Sequence, residues 1–596
     1  MVFAPPSWVP RLPDAPDSIT VEEFLSNETY GRRPLAASRN PYTCGLTGTT
    51  HTPAAVLSRT AHLSRALAAR LRFDPGQGTE WDRVVALFSL NAIDYIPLTH
   101  AVHRLSGIVT PASAAYSPQE LAHQLRSSGA VALFTCVPLL DTARRAAAEV
   151  GIPEERIFLL PLPGVESDAA YKTVDDLVVE GQALPELAPL RWAKGQGARQ
   201  TAFLCYSSGT SGLPKAVMVS HHNIIANVLQ LCTFESVSRR ALGIDTQVVL
   251  GILPFSHIYG LTLLALAAPY RGDGLVVLPR FELASYLDAV QRFRIEQLSV
   301  VPPILIQMMG NQDVCRKYDL SSVRLVYSGA APLGSEVMDD LQRVYPEWHL
   351  SQGYGMTEAS PLIVSTDETD PLVGSSGSLL PAVKAKIIDL DGKEVTEHET
   401  RGELLVQSPS VVLGYLNNEK ANAETFVWHE DGRWLRTGDE VLVRKSPKGH
   451  EHFVIVDRIK ELIKVKVSLH RPPSPLLGTA ADLHAQGHQV APAELEAHLL
   501  AHPSVSDCAV IPVLDPRAGE VPKAFVVKAP SVSDKPDAEV TADIVRHVEE
   551  HKARYKWLQG GVEFIDVIPK SASGKILRRL LRDRERESRR AKGPKL

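Results

Sequence analysis

No apolar run in this sequence approaches the roughly 20 residues that a membrane-spanning helix needs. Leu261 to Ala268 is among the longest such runs and falls well short. The opening stretch MVFAPPSWVPRLPDAP lacks the apolar core of a secretory signal. Cysteine is scarce and scattered: Cys44, Cys136, Cys205, Cys232, Cys315 and Cys508 form no C-x-x-C pair. Most sit in apolar segments such as AFLCYSS, the setting of buried free thiols in a reducing compartment. An excess of one charge is missing too, with 63 basic against 68 acidic residues and a formal net charge of −5, so composition makes no global case for nucleic acid. No internal repeat is evident. These absences point to a soluble intracellular protein, and 596 residues exceed what one hydrophobic core serves, so two or more domains are expected.

What is present is led by Tyr206 to Lys215, YSSGTSGLPK. Gly209 and Gly212 let the backbone turn tightly and offer its N–H groups to an anion. Ser207, Ser208, Thr210 and Ser211 add hydroxyl donors, and Lys215 adds a compact positive charge. The spacing is not that of a Walker loop, and alone the segment could be a polar linker. Its surroundings favour a phosphate grip. Strand-like segments (VVALFSL, VALFTC, FLCYSS, VVLGILPF, LSVVPP, LVYSG) alternate with helix-like ones (LTHAVHRLSG, IIANVLQLC, LDAVQRF), and Thr52-Pro53 has the form of a helix start before Val56, Leu63, Leu67 and Leu71. Such alternation predicts parallel sheets covered by helices, with ligands beyond the carboxyl ends of strands. The loop follows FLCY, where that rule places a ligand. From about Gly402 the strands shorten, and after Asp457 a smaller α+β pattern runs to the end.

Four further segments suit the same chemistry. Gln352-Gly-Tyr-Gly-Met-Thr-Glu358 offers an aromatic for a purine and a carboxylate for Mg²⁺. Leu435 to Asp439 puts an aspartate on a tight turn, able to accept from ribose hydroxyls. Val456 to Glu461 is a charged junction, and Pro569 to Lys575 carries a lysine on a glycine turn. Each alone could be an ordinary turn or solvated charge run; five in this order are not coincidence.

Together they resemble the adenylate-forming superfamily, most closely its 4-coumarate–CoA ligase-like, luciferase-like branch, from about residue 20 onward. PFSHIYGL (Pro254 to Leu261), SGAAPL (Ser328 to Leu333), GYLNN (Gly414 to Asn418) and GHQVAPAELE (Gly487 to Glu496) belong to the same resemblance. It implies an α/β fold: a large N-terminal domain (1–457) of parallel-rich sheets with a small β-barrel-like subdomain, then a mobile α+β lid (458–596). It implies an acid–CoA ligase: a carboxylate attacks the α-phosphate of MgATP to give acyl-adenylate and pyrophosphate, and coenzyme A then displaces AMP. Residues 207–215 would hold the β- and γ-phosphates. Glu358, with Thr210, would bind Mg²⁺, and Thr357 the α-phosphate. Gly329, Ala330, Ala331, Gln352, Gly353, Tyr354, Gly355 and Met356 would line the nucleotide, with Tyr354 at the adenine face. Asp439 and Arg458 would hold the ribose, and Lys575 would bridge the carboxylate and the α-phosphate. After adenylation the lid would turn about Lys460, bringing Lys464, Lys466 and Gly487 to the coenzyme A side. His257, Tyr259, Leu263, Ser328, Gly329, Ala330, Gly353, Pro361 and Leu362 would line the acyl pocket, with His257 positioning the carboxylate. The small and apolar lining suits an aromatic or medium-chain acid, and no aspartate stands ready for an amino acid's ammonium.

Two departures stand out. Ala216 replaces a glycine common in relatives. The larger one splits IKVK from GHQVAP: twenty residues, VSLHRPPSPLLGTAADLHAQ, separate Lys466 from Gly487. Extending a loop costs only roughly 0.6 kcal/mol per doubling, yet this one interrupts a strand that must enter the active site. Val467-Ser468 can be encoded GTGAGT, a splice donor; Ala481-Asp482 can be GCTGAC, a branch-point-like sequence; Gln486 can be the acceptor CAG. Twenty residues correspond to a sixty-base intron, a length found in fungal genes. The segment reads as a retained intron, and uninterrupted reads through it in spliced message would refute that.

Some features stay open. His547-Val-Glu-Glu-His551 matches H-x-x-E-H, but the sequence offers no third ligand and the stretch reads as a solvated helix face. The tail from Lys575 has ten basic and three acidic residues around Ile576, Leu577, Leu580 and Leu581. It ends Pro594-Lys595-Leu596, a weakened form of the Ser-Lys-Leu address of a peroxisomal import receptor, which leaves peroxisome and cytoplasm both open. Alternative functions are an acyl-AMP ligase serving a carrier protein, a luciferase-like oxygenase, and a nucleotide- or acyl-binding protein disabled by the insertion.

Overall fold

A computed structural model describes residues 2–168, 170–207, 214–331, 333–389, 391–466, 487–515, 518–571 and 574–591. The loop residues Ser208, Gly209, Thr210, Ser211 and Gly212, the inserted segment 467–486 and the tripeptide Pro594-Lys595-Leu596 lie outside them.

Two parallel-rich sheets form the body. One has seven strands in the order Gly414–Tyr415, Lys215–Ser220, Thr201–Ser207, Ile108–Pro111, Val84–Phe88, Ala132–Thr135, Ile157–Leu159. Its interior strand Val84–Phe88 is buried at all five residues, as an unbroken apolar run between two covering layers should be. The other sheet has nine strands, with Gln297–Val300, Leu325–Ser328 and His349–Gly355 adjacent and parallel at its centre. The helix Pro53–Leu71 begins as its sequence predicts, with the Thr52 side chain accepting from Ala55 N–H and proline in the first turn.

The long helix His221–Ala241 ties the body together through buried amides at positions 223, 227 and 230, one face of its spiral. Asn223 donates to the carbonyls of Pro409 and Val411, Asn227 to Leu362 and Gln230 to Pro381. A third, antiparallel sheet of five strands includes the fourteen-residue strand Gly432–Lys445, which pairs with Gly402–Gln407, Phe426–His429 and Glu451–Arg458.

The chain leaves that sheet at Arg458 and enters the C-terminal sheet at Ile463. There Gly487–Val490, Ile463–Lys466, Gly519–Lys528 and Val505–Asp515 lie in order, with Val562–Phe564 against Gly519–Lys528. Helices Pro492–Leu500 and Asp537–His551 and the basic helix Arg578–Ala591 complete this unit. In the basic helix Leu581 is buried but Leu580 is 43% exposed, because consecutive helical residues point about 100° apart. The α/β architecture implied by the alternation of segments is therefore present. Among the described residues no helix is long and apolar enough to cross a membrane.

Candidate functional site

The strands Thr201–Ser207 and Lys215–Ser220 are antiparallel neighbours with Ser207 opposite Lys215, so the two ends of the glycine-rich loop are held side by side at a strand terminus. Glu358 lies beneath them, buried, in the short turn after His349–Gly355. Its Oε1 accepts from Ser207 Oγ at 3.1 Å and from Tyr415 Oη at 2.8 Å. Two hydroxyl donors on one oxygen aim the carboxylate and leave its other oxygen as the main remaining acceptor.

Tyr415 was not among the residues singled out from sequence. The two-residue strand Gly414–Tyr415 adds to the edge of Lys215–Ser220, which carries the ring beneath the loop lysine. Lys215 Nζ lies 4.6 Å from its centroid. Burial, then the charge of Glu358, pushes the Tyr415 phenol well above its ordinary range, so it remains a donor.

Asp439 and Arg458 are cross-strand partners. Asp439 accepts from Tyr354 Oη at 2.5 Å, and Arg458 Nε lies 3.8 Å from its other oxygen. Burial raises the Asp439 pKa and Arg458 opposes that rise. Ser328 and Gln352 sit in register where adjacent parallel strands end, the position at which such sheets bind ligands. Two glycines there have no room for a side chain: a Cβ on Gly353 would stand 2.1 Å from Tyr327 Oη, and one on Gly355 would stand 2.1 Å from the Pro361 carbonyl oxygen. Ala330 holds φ at +67°, a strained value for a residue with a side chain.

His257 precedes a buried π-helix, Tyr259–Leu266, a geometry frequent at functional sites. Its Nδ1 accepts from Tyr259 N–H at 3.3 Å, so a neutral ring carries its proton on Nε2. Burial, then the charge of Lys575, lowers its pKa to about 4. Tyr259 packs under Gly329, and its hydroxyl donates to the Tyr327 carbonyl at 3.2 Å. Leu263 borders a small cavity beyond them whose inner end is polar: Glu235 and Arg271 pair there at 2.8 Å. Pro361 and Leu362 are buried on the far side of Gly353 and Gly355, with Leu362 in contact range of Gly353.

Lys575 reaches this centre from the C-terminal unit. Its pKa is lowered to about 8, by burial first and then by Arg458, while Glu461, Asp439 and Glu358 act the other way. Its loop rests on the body: Gly574, at φ +79°, lies so close that a Cβ would stand 3.0 Å from Val301 and 3.4 Å from Pro303. The junction is braced by Arg578, which pairs with Glu461 and Glu496, both at 2.6 Å. Lys460 is exposed in the connecting turn. Lys464 is exposed as well, and its N–H donates to Glu520 of the C-terminal unit. Lys466 and Gly487 face each other in the neighbouring ladder. Glu358, Tyr354, Asp439, Arg458, His257 and Lys575 thus gather at one place.

The model of the "AMP-binding enzyme" family matches residues 57–416, and that of the "AMP-binding enzyme C-terminal domain" matches 494–575. This chain belongs to the AMP-binding enzyme family. Among its relatives in the family, "Acyl-CoA ligase AKT1" of Alternaria alternata is 41% identical, covering 98% of this chain and 97% of its own. "Acyl-CoA ligase easD" of Emericella nidulans is 37% identical, covering 98% and 100%. The fold matches solved structures at lower identity. The anthranilate CoA ligase AuaEII in complex with anthranoyl-AMP aligns with a TM-score of 0.75 at 23% identity over 96% of this chain and 98% of that one. ATP-bound MatB from Rhodopseudomonas palustris aligns with a TM-score of 0.73 at 22% identity over 95% and 99%.

Proposed function

We propose that the protein is an ATP-dependent acid–CoA ligase that activates an aromatic or medium-chain carboxylic acid. The observation that carries this reading is the convergence of Lys575, from the C-terminal unit, on the Glu358–Asp439–His257 centre of the body. Relatives named acyl-CoA ligases at 37–41% identity over nearly the whole chain support it. An acid oxygen attacks the α-phosphorus of MgATP, the bond to the β-phosphate oxygen breaks, and pyrophosphate leaves. The chain's part is positioning and charge neutralisation. Lys575 spans the carboxylate and the α-phosphate, and Nε2–H of neutral His257 donates toward the acid. Lys215 and the loop around it hold the outer phosphates, Thr357 faces the α-phosphate, and Asp439 with Arg458 holds the ribose.

Mg²⁺ enters with ATP. The buried Glu358 carboxylate, steadied by Ser207 and Tyr415, is a hard oxygen donor of the kind that ion takes. Coenzyme A thiol then attacks the acyl carbon and AMP departs, after the C-terminal unit turns about Lys460 and presents Lys464 with the Lys466–Gly487 hairpin. Glu235 and Arg271 line the small cavity beside Tyr259 and Leu263, and a long alkyl tail reaching that cavity would meet a charged pair, which is unfavourable; this favours compact acids. The test is a panel of acids supplied with ATP and coenzyme A. Release of pyrophosphate and AMP with formation of acyl-CoA is expected, and pyrophosphate release without coenzyme A-dependent AMP release would refute the thioester step.

A further inference from the structure

The two histidines of His547-Val-Glu-Glu-His551 end the helix Asp537–His551, and the fold brings them the third imidazole that the sequence did not suggest. His498, on the helix Pro492–Leu500, stacks on His547 with ring centroids 4.2 Å apart and planes 6° from parallel. It also meets His551 at 5.4 Å, and His547 and His551, one helical turn apart, stand 4.9 Å from each other. One ring nitrogen of each of the three lies within 4.8 Å of those of the other two.

Hydrogen bonds fix two of the tautomers. The carbonyl oxygen of His547 lies 3.3 Å from Nε2 of His498 and 2.8 Å from Nδ1 of His551. A carbonyl only accepts, so both nitrogens carry protons, and Nδ1 of His498 and Nε2 of His551 keep their lone pairs. Donation of the second ring N–H to a backbone carbonyl is how metal-binding histidines are oriented. Nε2 of His547 is buried and has no hydrogen-bond partner among the described residues. A fourth histidine nearby is already committed: Nδ1 of His502 accepts from Ser504 N–H, and its Nε2 faces Asp543 at 3.5 Å.

We propose that His498, His547 and His551 form a three-imidazole site for a divalent transition metal of the zinc type. Imidazole suits such ions. Tetrahedral zinc, with Zn–N distances of about 2.0–2.1 Å, sets its nitrogens roughly 3.4 Å apart. Closing in from 4.8 Å asks the stacked rings of His498 and His547 to splay apart and His551 to turn on its bond to the His547 carbonyl. Water completes the coordination. The site has a structural place: His498's helix starts at the junction, where Ala493 N–H donates to Asp457, and carries the Glu496–Arg578 pair. An ion here would pin that helix to the rest of the C-terminal unit.

The experiment uses the full chain, stripped with a chelator and titrated with Zn²⁺ alone, followed by calorimetry, metal content after dialysis and thermal unfolding; Co²⁺ serves as a spectroscopic substitute. One ion per chain is expected, with a raised unfolding temperature that a chelator reverses. Co²⁺ should show d–d bands without thiolate charge transfer. His551→Ala, at an exposed helix end, should weaken binding by about tenfold or more while leaving the metal-free unfolding temperature unchanged, and His547→Gln should weaken it likewise. No saturable binding, or affinity unchanged in both variants, would overturn the site.

Discussion

Replacing Gly574 by alanine separates the two half-reactions. Gly574 sits next to Lys575 at φ +79°, and its missing Cβ would stand 3.0 Å from Val301 Cγ2 and 3.4 Å from Pro303 Cγ. Val301 is buried, and Pro303 is fixed in the first turn of the helix Pro302–Gly310, so neither retreats freely. An L-residue in the left-handed region costs about 1–2 kcal/mol. In the proposed thioester-forming pose the C-terminal unit has swung away and this contact with the body is released, so the cost falls on the docked pose. At about 1.4 kcal/mol per tenfold, the backbone cost alone should slow adenylation roughly 5- to 30-fold, and the contact with Val301 adds to that. Thioester formation from supplied acyl-adenylate and coenzyme A should stay within about twofold. Pyrophosphate release reads the first step and acyl-CoA formation the second. Adding Val301→Ala should recover the contact part of the loss but not the backbone part. Equal slowing of both half-reactions, or none of adenylation, would refute the reasoning.

Because the Lys575 pKa is lowered to about 8, kcat/KM for adenylation should fall as pH rises through that value and the ammonium is lost; Lys575→Arg should remove this alkaline limb, and its persistence would assign it elsewhere. Tyr415→Phe keeps the ring under Lys215 but removes one donor from Glu358, so pyrophosphate release should need more Mg²⁺ and lose about tenfold in kcat/KM. Arg578→Met strands Glu461 and Glu496 in the interior, which should cost about 3–5 kcal/mol and appear as an earlier melting step of the C-terminal unit by calorimetry. Deleting residues 467–486 should leave the unfolding temperature and acyl-CoA turnover intact, and loss of either would show the segment to be integral.

The body of the fold was legible because buried parallel strands announce themselves as unbroken apolar runs, and Val84–Phe88 is the clearest case. Part of the order of motifs was legible for a related reason, since Ser328 and Gln352 lie side by side where parallel strands end. Asp439, however, sits within the strand Gly432–Lys445 and not on the tight turn its sequence suggested. What escaped depends on contacts between distant parts of the chain. Tyr415 acts on Glu358 only because a two-residue strand joins the edge of a hairpin about two hundred positions earlier. Arg578 lay in a run of basic residues that gave no sign of its partners, yet it is buried between two carboxylates. His498 belongs to a helix noted only for its resemblance, and no periodicity within Asp537–His551 could have shown it to be the third imidazole.

The hairpin around the insertion gives the reverse case, where structure bears on a reading of sequence. Ile463 pairs with Val490, Lys464 with Gln489, Val465 with His488 and Lys466 with Gly487. The chain on either side of the twenty inserted residues is therefore already in antiparallel register. Joining Lys466 directly to Gly487 would leave Val465 and His488 as the last pair, closed by a two-residue turn with glycine in its second place. Two-residue turns are the commonest hairpin closures, and a glycine there supplies the positive φ they need. The strands would not slip, so no side chain would change faces. Among the described residues, the pairs on either side of the insertion need only that short turn to close, which is what a removable insertion requires.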